Sequence, residues 1–303
     1  MSSGAMRAGT SSFNCRATTT RPAPPPCSPS GGSRWSRRFN PRLPEKTPLM
    51  KNNIWKITLL TLSLTLGACD PSEPEPQPQQ PPAEAPRCEA SPVRCAEQGI
   101  DALNLLTTVS TGEIREEGTT PGEFHTYVDA RAGGTSPKQS YTYARFTSEG
   151  LSRVEVDDQA ALASTDWDIA FRRYNIRVNS GVSGPSCIAV ARTPEGTTFD
   201  SVKAVDSTWE FRTENYFTES CEVISGEASL GSPETLLGGF WTYQACLAMT
   251  GDVFVVRLAD GRHVKLEVTH YYDPSPQQTC NQTGEVPQPS GAAQIRVRWA
   301  FLP

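Results

Sequence analysis

The run DPSEPEPQPQQPPAEAP at residues 70–86 constrains this chain more than any other feature, because it decides where a core can form. It has no large apolar side chain to bury, and its prolines favour an extended, solvated polyproline path. Its seventeen residues, at about 3.1 Å each, would reach roughly 50 Å. Residues 1–49, on the other side, show neither a helical nor a strand period and are rich in Arg, Pro, Ser, Thr and Gly. They read as upstream sequence behind a start codon set too early, or as a disordered leader. Residues 87–303 are the stretch left to fold, long enough for one sizeable core or two small ones.

Between these two segments the pattern changes abruptly. Met50 is followed by Lys51 and Lys56, then by a mainly apolar stretch over residues 57–66, then by Leu66-Gly67-Ala68-Cys69. Positive flank, apolar centre and small residues before a cysteine make a secretory signal over residues 50–68. The last four residues match the lipobox of bacterial lipoproteins, which makes Cys69 the expected site of lipid attachment. A signal-anchor helix is the competing reading. A membrane span needs about 20 apolar residues, whereas residues 54–68 offer fifteen that include Lys56 and several Thr and Ser. The expected product is exported and held on a bacterial membrane by its lipid, with the outer membrane as the expected location. Asp70 directly after the cysteine resembles an inner-membrane retention signal of enterobacteria, so the membrane itself stays open.

The exported part carries 32 acidic against 18 basic residues. Such a surplus repels phosphate backbones, and the arginines are scattered or sit beside aspartates, so nucleic acid is not an expected partner. Six cysteines follow Cys69, namely Cys88, Cys95, Cys187, Cys221, Cys246 and Cys280. An even number in an oxidising compartment predicts three disulfides, with fifteen possible connectivities. Cys88 with Cys95 would close a small N-terminal loop, and Cys246 with Cys280 would staple a strand end to the loop after Tyr272. No CxxC pair is present and no His is spaced for zinc.

Periodicity predicts a mostly β fold, an antiparallel sheet domain with few helices. Residues 141–146 alternate, and residues 167–172 place Trp167, Ile169 and Phe171 on one face. Residues 253–258 and 264–272 flank Ala259-Asp260-Gly261-Arg262, where Asp-Gly signals a hairpin turn. In the second arm Val264, Leu266 and Val268 share a face opposite Lys265, Glu267 and Thr269, and His270 continues the apolar side. Ile295, Val297, Trp299 and Phe301 mark a closing strand. Only residues 96–107 look weakly helical.

No nucleophile elbow, phosphate loop, HExxH or dinucleotide fingerprint occurs, and Gly181-Val182-Ser183-Gly184 reads better as a turn after a strand. Asp166 and Asp168, two apart, could form a carboxylate pair or calcium ligands, or could pair with Arg172 or Arg173 at a strand start. His125, His263 and His270 are isolated along the chain, and isolated histidines are mostly structural or exposed.

The run Ser164-Thr165-Asp166-Trp167-Asp168-Ile169-Ala170-Phe171-Arg172-Arg173-Tyr174-Asn175-Ile176-Arg177-Val178-Asn179-Ser180-Gly181-Val182-Ser183-Gly184 resembles the signature of HmuY-like lipoproteins, a W-D-[LI]-A-F strand leading to an N-x-G-x-S-G turn. Residues 252–257, 260–266, Tyr271-Tyr272 and Arg298-Trp299-Ala300 follow in that family's order, so the likeness spans about residues 125–303. Within it Trp167 and Phe171 supply buried area, and Asn179 and Gly181 suit a turn with positive φ. The resemblance implies a β-rich, haem-capturing lipoprotein that passes haem to an outer-membrane receptor, with iron gripped by two His or Met side chains. The exported His and Met residues are His125, His263, His270 and Met249, of which Met249 and His270 flank the same hairpin. The cysteines between Cys187 and Cys280 depart from the haem-binding pattern. Three expectations follow: a ligand-binding lipoprotein with haem as the first ligand, a surface structural or interaction module on the same fold, and, least favoured, an enzyme.

Overall fold

The computed structural model describes residues 88–226 and 230–303. The upstream segment, the signal sequence, Cys69 and the proline-rich run lie outside the described residues. Strands β1 (Ile114–Thr120), β2 (Glu123–Asp129), β7 (Ala189–Arg192), β10 (Val253–Arg257), β11 (His263–His270) and β12 (Gln294–Leu302) form a six-stranded antiparallel sheet ordered β1-β2-β12-β11-β10-β7. A second sheet is ordered β4-β3-β5-β6, from β3 (Thr142–Thr147), β4 (Gly150–Val154), β5 (Ile169–Arg172) and β6 (Asn175–Val178). A ribbon of β8 (Trp241–Tyr243) and β9 (Leu247–Met249) completes the strands. The helices are α1 (Ala96–Ala102), α2 (Asp158–Ala161) and α3 (Pro274–Thr283).

The main core lies where the two sheets meet. Val264, Leu266 and Val268 of β11 and Ile295, Val297 and Trp299 of β12 pack there with Phe146, Ile169, Phe171 and Ile176. Trp299 takes Phe146 edge-on at 5.0 Å and stacks on Phe124 at 4.2 Å. The hairpin turn is as the Asp-Gly pair predicts, with Gly261 at φ 86°.

Each sheet is also covered on its far side, and this corrects the simple alternation. Lys265 is buried rather than solvent-facing, because residues 199–211 fold over that face and its Nζ donates to the carbonyls of Phe199 and Val202. Trp167 does not share a face with Ile169 and Phe171. The regular strand starts only at Ile169; Asp168 interrupts the ladder, its carboxylate accepting from the Phe146 amide at 2.9 Å. Trp167 therefore joins a separate cluster with Tyr141, Tyr143, Ala161 and Ala170, roofed by α1 and α2 residues. His270 leaves the apolar face as well. A bulge between Val268 and His270 sets His270 opposite Arg296, so a period-2 reading fails by one residue there.

Two helices escaped the sequence reading, and α1 is shorter than the predicted 96–107. Helix α3 has no apolar stripe; Pro274 starts it and tertiary contacts hold it. Its Gln277 accepts from the amides of Tyr271 and Tyr272 and donates to the Leu247 carbonyl. The three disulfides are Cys88–Cys187, Cys95–Cys221 and Cys246–Cys280. The last is the pair anticipated, although Cys280 sits on α3 rather than in a loop. The first two replace the local Cys88–Cys95 loop, because residues 88–95 run along the signature turn and the 215–221 segment, as the bonds Ser91 N to Pro185 O and Arg94 to Thr218 O show.

Candidate functional site

The signature residues build scaffold. Asn179 is fully buried, its amide donating to the carbonyls of Ser164 and Trp167 while its oxygen accepts from the Ser186 amide. It brackets the turn and takes no positive φ; Gly181 does, at 57°, and a Cβ there would sit 2.1 Å from the Glu214 carbonyl. Substitution at this glycine is therefore barred by both conformation and space. Residues 213–217 cross the turn at this close approach.

The same crossing makes one wall of a cleft of about 790 Å³. Its floor is apolar, from Val190, Leu236 and Trp241. Strands β5 and β6 are joined by the two-residue turn Arg173-Tyr174, in which Arg173 takes φ 56° and its amide bonds to the Ala130 carbonyl. The turn delivers Tyr174 to the cleft, its ring 5.5 Å from that of Trp241 and tilted at 67°. Arg192, at the end of β7, and Arg212 stand on the rim, paired with Asp252 and with Glu210 at 2.7 Å respectively. Glu214 lies beneath. Its carboxylate accepts from the amides of Val178 and Leu236, tying strand β6 to the cleft lining, and burial pushes its pKa up to about 7 against the lowering effect of those two bonds. Neighbouring signals could have marked Tyr174, which directly follows the signature strand. Nothing in local sequence marks Glu214, Arg192 or Arg212, which the fold brings together from separate segments.

None of the four iron-ligand candidates lines this cleft, nor the second one, of about 1020 Å³, beside Asp200 and Glu267. His125, His263 and His270 share the outer face of the six-stranded sheet, opposite Arg298, Leu302 and Arg296 of β12. They are spread along it: residues 296 and 302 are separated by about 20 Å of strand. Each ring has its own neighbour. His125 Nε2 meets Glu123 at 2.9 Å, His270 Nδ1 meets Thr269 Oγ1 at 2.9 Å, and His263 lies edge-on to Phe211. Burial, with Arg257 and Arg296 nearby, lowers the pKa of His263 and His270. Met249 packs against the main core, on the other side of that sheet from His270. The His and Met residues thus do not fit a haem held between two axial side chains in either cleft. Among the described residues no group of three or more His, Cys, Asp and Glu converges as a metal site.

The aspartate pair is also separated. Asp166 is exposed and faces Arg145 at 3.7 Å, whereas Asp168 is buried and pushed up to about 6. Arg172 pairs instead with Asp158.

Comparisons with known proteins place these observations. No curated protein matches the chain. Among solved structures, a Bacteroides vulgatus protein designated HmuY-like and haem-binding is similar at 17% identity and a TM-score of 0.40, over 62% of this chain and 97% of that one. The apo form of an HmuY analogue from Tannerella forsythia is similar at 16% identity and a TM-score of 0.32, over 66% and 99%. The model of the HmuY protein family matches residues 123–284, which hold the signature strand, the turn, the cleft and the β10–β11 hairpin. The chain belongs to the HmuY family.

Proposed function

We propose that the protein is an exported lipoprotein that captures a ligand at the bacterial envelope, with haem as the first ligand to test. Family membership over residues 123–284 carries this reading. The signal sequence and Cys69 supply the proposed anchor, residues 70–86 the proposed reach from the membrane, and an outer-membrane receptor is the proposed recipient. The protein acts by binding and release rather than by catalysis. One observation favours a second reading, an interaction module without haem: the four His and Met candidates line neither cleft.

Two measurements decide. The mature protein is expected to begin at Cys69 and to partition with membranes, and Cys69→Ala to release it or stall it as a precursor. Mass spectrometry that finds residues 1–49 on the exported protein rejects the anchor. Haemin titrated into the Cys69→Ala chain is expected to give a saturable one-to-one visible spectrum, and a flat titration removes haem and leaves the interaction module.

A further inference from the structure

Two features of the cleft bear on what it holds. Its lining offers ring and aliphatic surface from Tyr174 and from Ile224, which is unusually exposed for a large apolar residue at 37%. Its rim offers guanidinium. Arg192 and Arg212 have side chains 57% and 65% exposed, each with one carboxylate partner. A guanidinium presents five N–H donors in a fork that matches carboxylate, so each can take a further carboxylate beside its present one. Arg192 lies against Gly239, where a Cβ would come within 2.9 Å of Nη1, so the glycine gives the guanidinium its place on the rim. Glu210 and Glu234 share the rim, so an acidic ligand is favoured only where its charges meet the arginines. The volume suits a mid-sized organic molecule. The lining has no His, Met or Cys, and Tyr174 holds its one side-chain oxygen of a kind that haem iron takes in known proteins.

We propose that this cleft binds a flat, ring-bearing organic diacid through ring contact with Tyr174 and Ile224 and carboxylate pairing with Arg192 and Arg212, without metal coordination. The proposal rests on the ligand-capture reading and names how the ligand is recognised. The second cleft also has two arginines, Arg298 and the shared Arg192, but four carboxylates, Glu195, Asp200, Asp252 and Glu267, outnumber them there and Phe199 is its single aromatic residue, so Arg212 and Tyr174 set the first cleft apart.

The test uses the full chain in detergent with three probes: haemin, iron-free protoporphyrin IX and the dimethyl ester of the latter, followed by tryptophan fluorescence and visible spectra. Haemin and protoporphyrin IX are expected to bind within about threefold of each other, and the ester at least about tenfold more weakly. Arg192→Ala combined with Arg212→Ala is expected to weaken both diacids by at least about tenfold, with an unchanged circular-dichroism melt as the control for folding. Haemin binding more than about tenfold tighter than the iron-free ring, or an iron spectrum altered by Tyr174→Phe or by alanine at His125, His263, His270 or Met249, overturns metal-free recognition while leaving haem capture in place. Diacid binding that ignores both arginine substitutions overturns the site. No binding by any of the three probes to the folded protein ends both this proposal and the haem reading.

Discussion

Two polar regions of the molecule use the same residue types under opposite conditions. Beneath the four-stranded sheet, Asp158 is fully buried and accepts from the amides of Leu106 and Tyr141, from Tyr143 Oη and from Arg172 at 3.1 Å. Arg177, also buried, lies 4.3 Å from the Tyr141 ring centre and 3.9 Å from Asp158. At the cleft rim, both arginines and Glu210 are exposed, and only Asp252, the partner of Arg192, is largely covered. Burial makes the first set a lock, since any partner removed leaves a charge stranded in low dielectric. Exposure leaves the second set free to exchange partners at little cost. Depth, not chemistry, therefore decides whether an arginine here is locked in place or left able to change partners.

The sharpest break of that contrast is Asp158→Ala. It would leave the guanidinium groups of Arg172 and Arg177 buried together without their shared counter-ion, and is expected to cost about 3 to 5 kcal/mol in urea unfolding. A loss under about 1 kcal/mol would mean that the buried set behaves like a surface pair.

Glu214 stands between the two regions and sharpens the comparison through pH. Its folded pKa, about 7, exceeds the ordinary 4.5, so the folded state holds a proton that the unfolded chain releases first. The resulting stability is fully present below pH 4.5 and is lost as pH rises through about 7. The full swing is on the order of 3 kcal/mol. Asp168, pushed up from 3.8 to about 6, adds a similar slope of the same sign in a lower pH window. Glu214→Gln is expected to flatten the profile between about pH 6 and 7, above the window of Asp168, and an unchanged slope there would move its origin elsewhere.

Arg212→Ala is the smallest expected effect, within about 1 kcal/mol of the parent. Chemical denaturation showing a larger loss would make the rim part of the lock.

Much of the β framework was legible in the sequence because its signal is local. The Asp-Gly turn, the apolar face of Val264, Leu266 and Val268, and the closing strand each depend on near neighbours. What depended on distant neighbours was not legible. Lys265 reads as exposed by period and is buried because residues 199–211 cover it. His270 changes face through a one-residue bulge that no pattern marks. Helix α3 has no stripe to announce it; Gln277 and the bond to Cys246 fix it. The cleft joins residues from Tyr174 to Trp241, so no motif window contains it.

Cys88 lies just beyond the proline-rich run, and its bond to Cys187 has a mechanical meaning. Tension applied along the chain from its N-terminal side would pass through sulfur at Cys88 to the residue next to the signature turn, instead of peeling away residues 88–113 one at a time. A second rivet, Cys95–Cys221, backs the first. At the other end, β12 lies between β2 and β11 and would resist extraction by shear along two ladders at once. The two disulfides let the domain be pulled by its leading end without unravelling, a property that the proposed membrane tether would use.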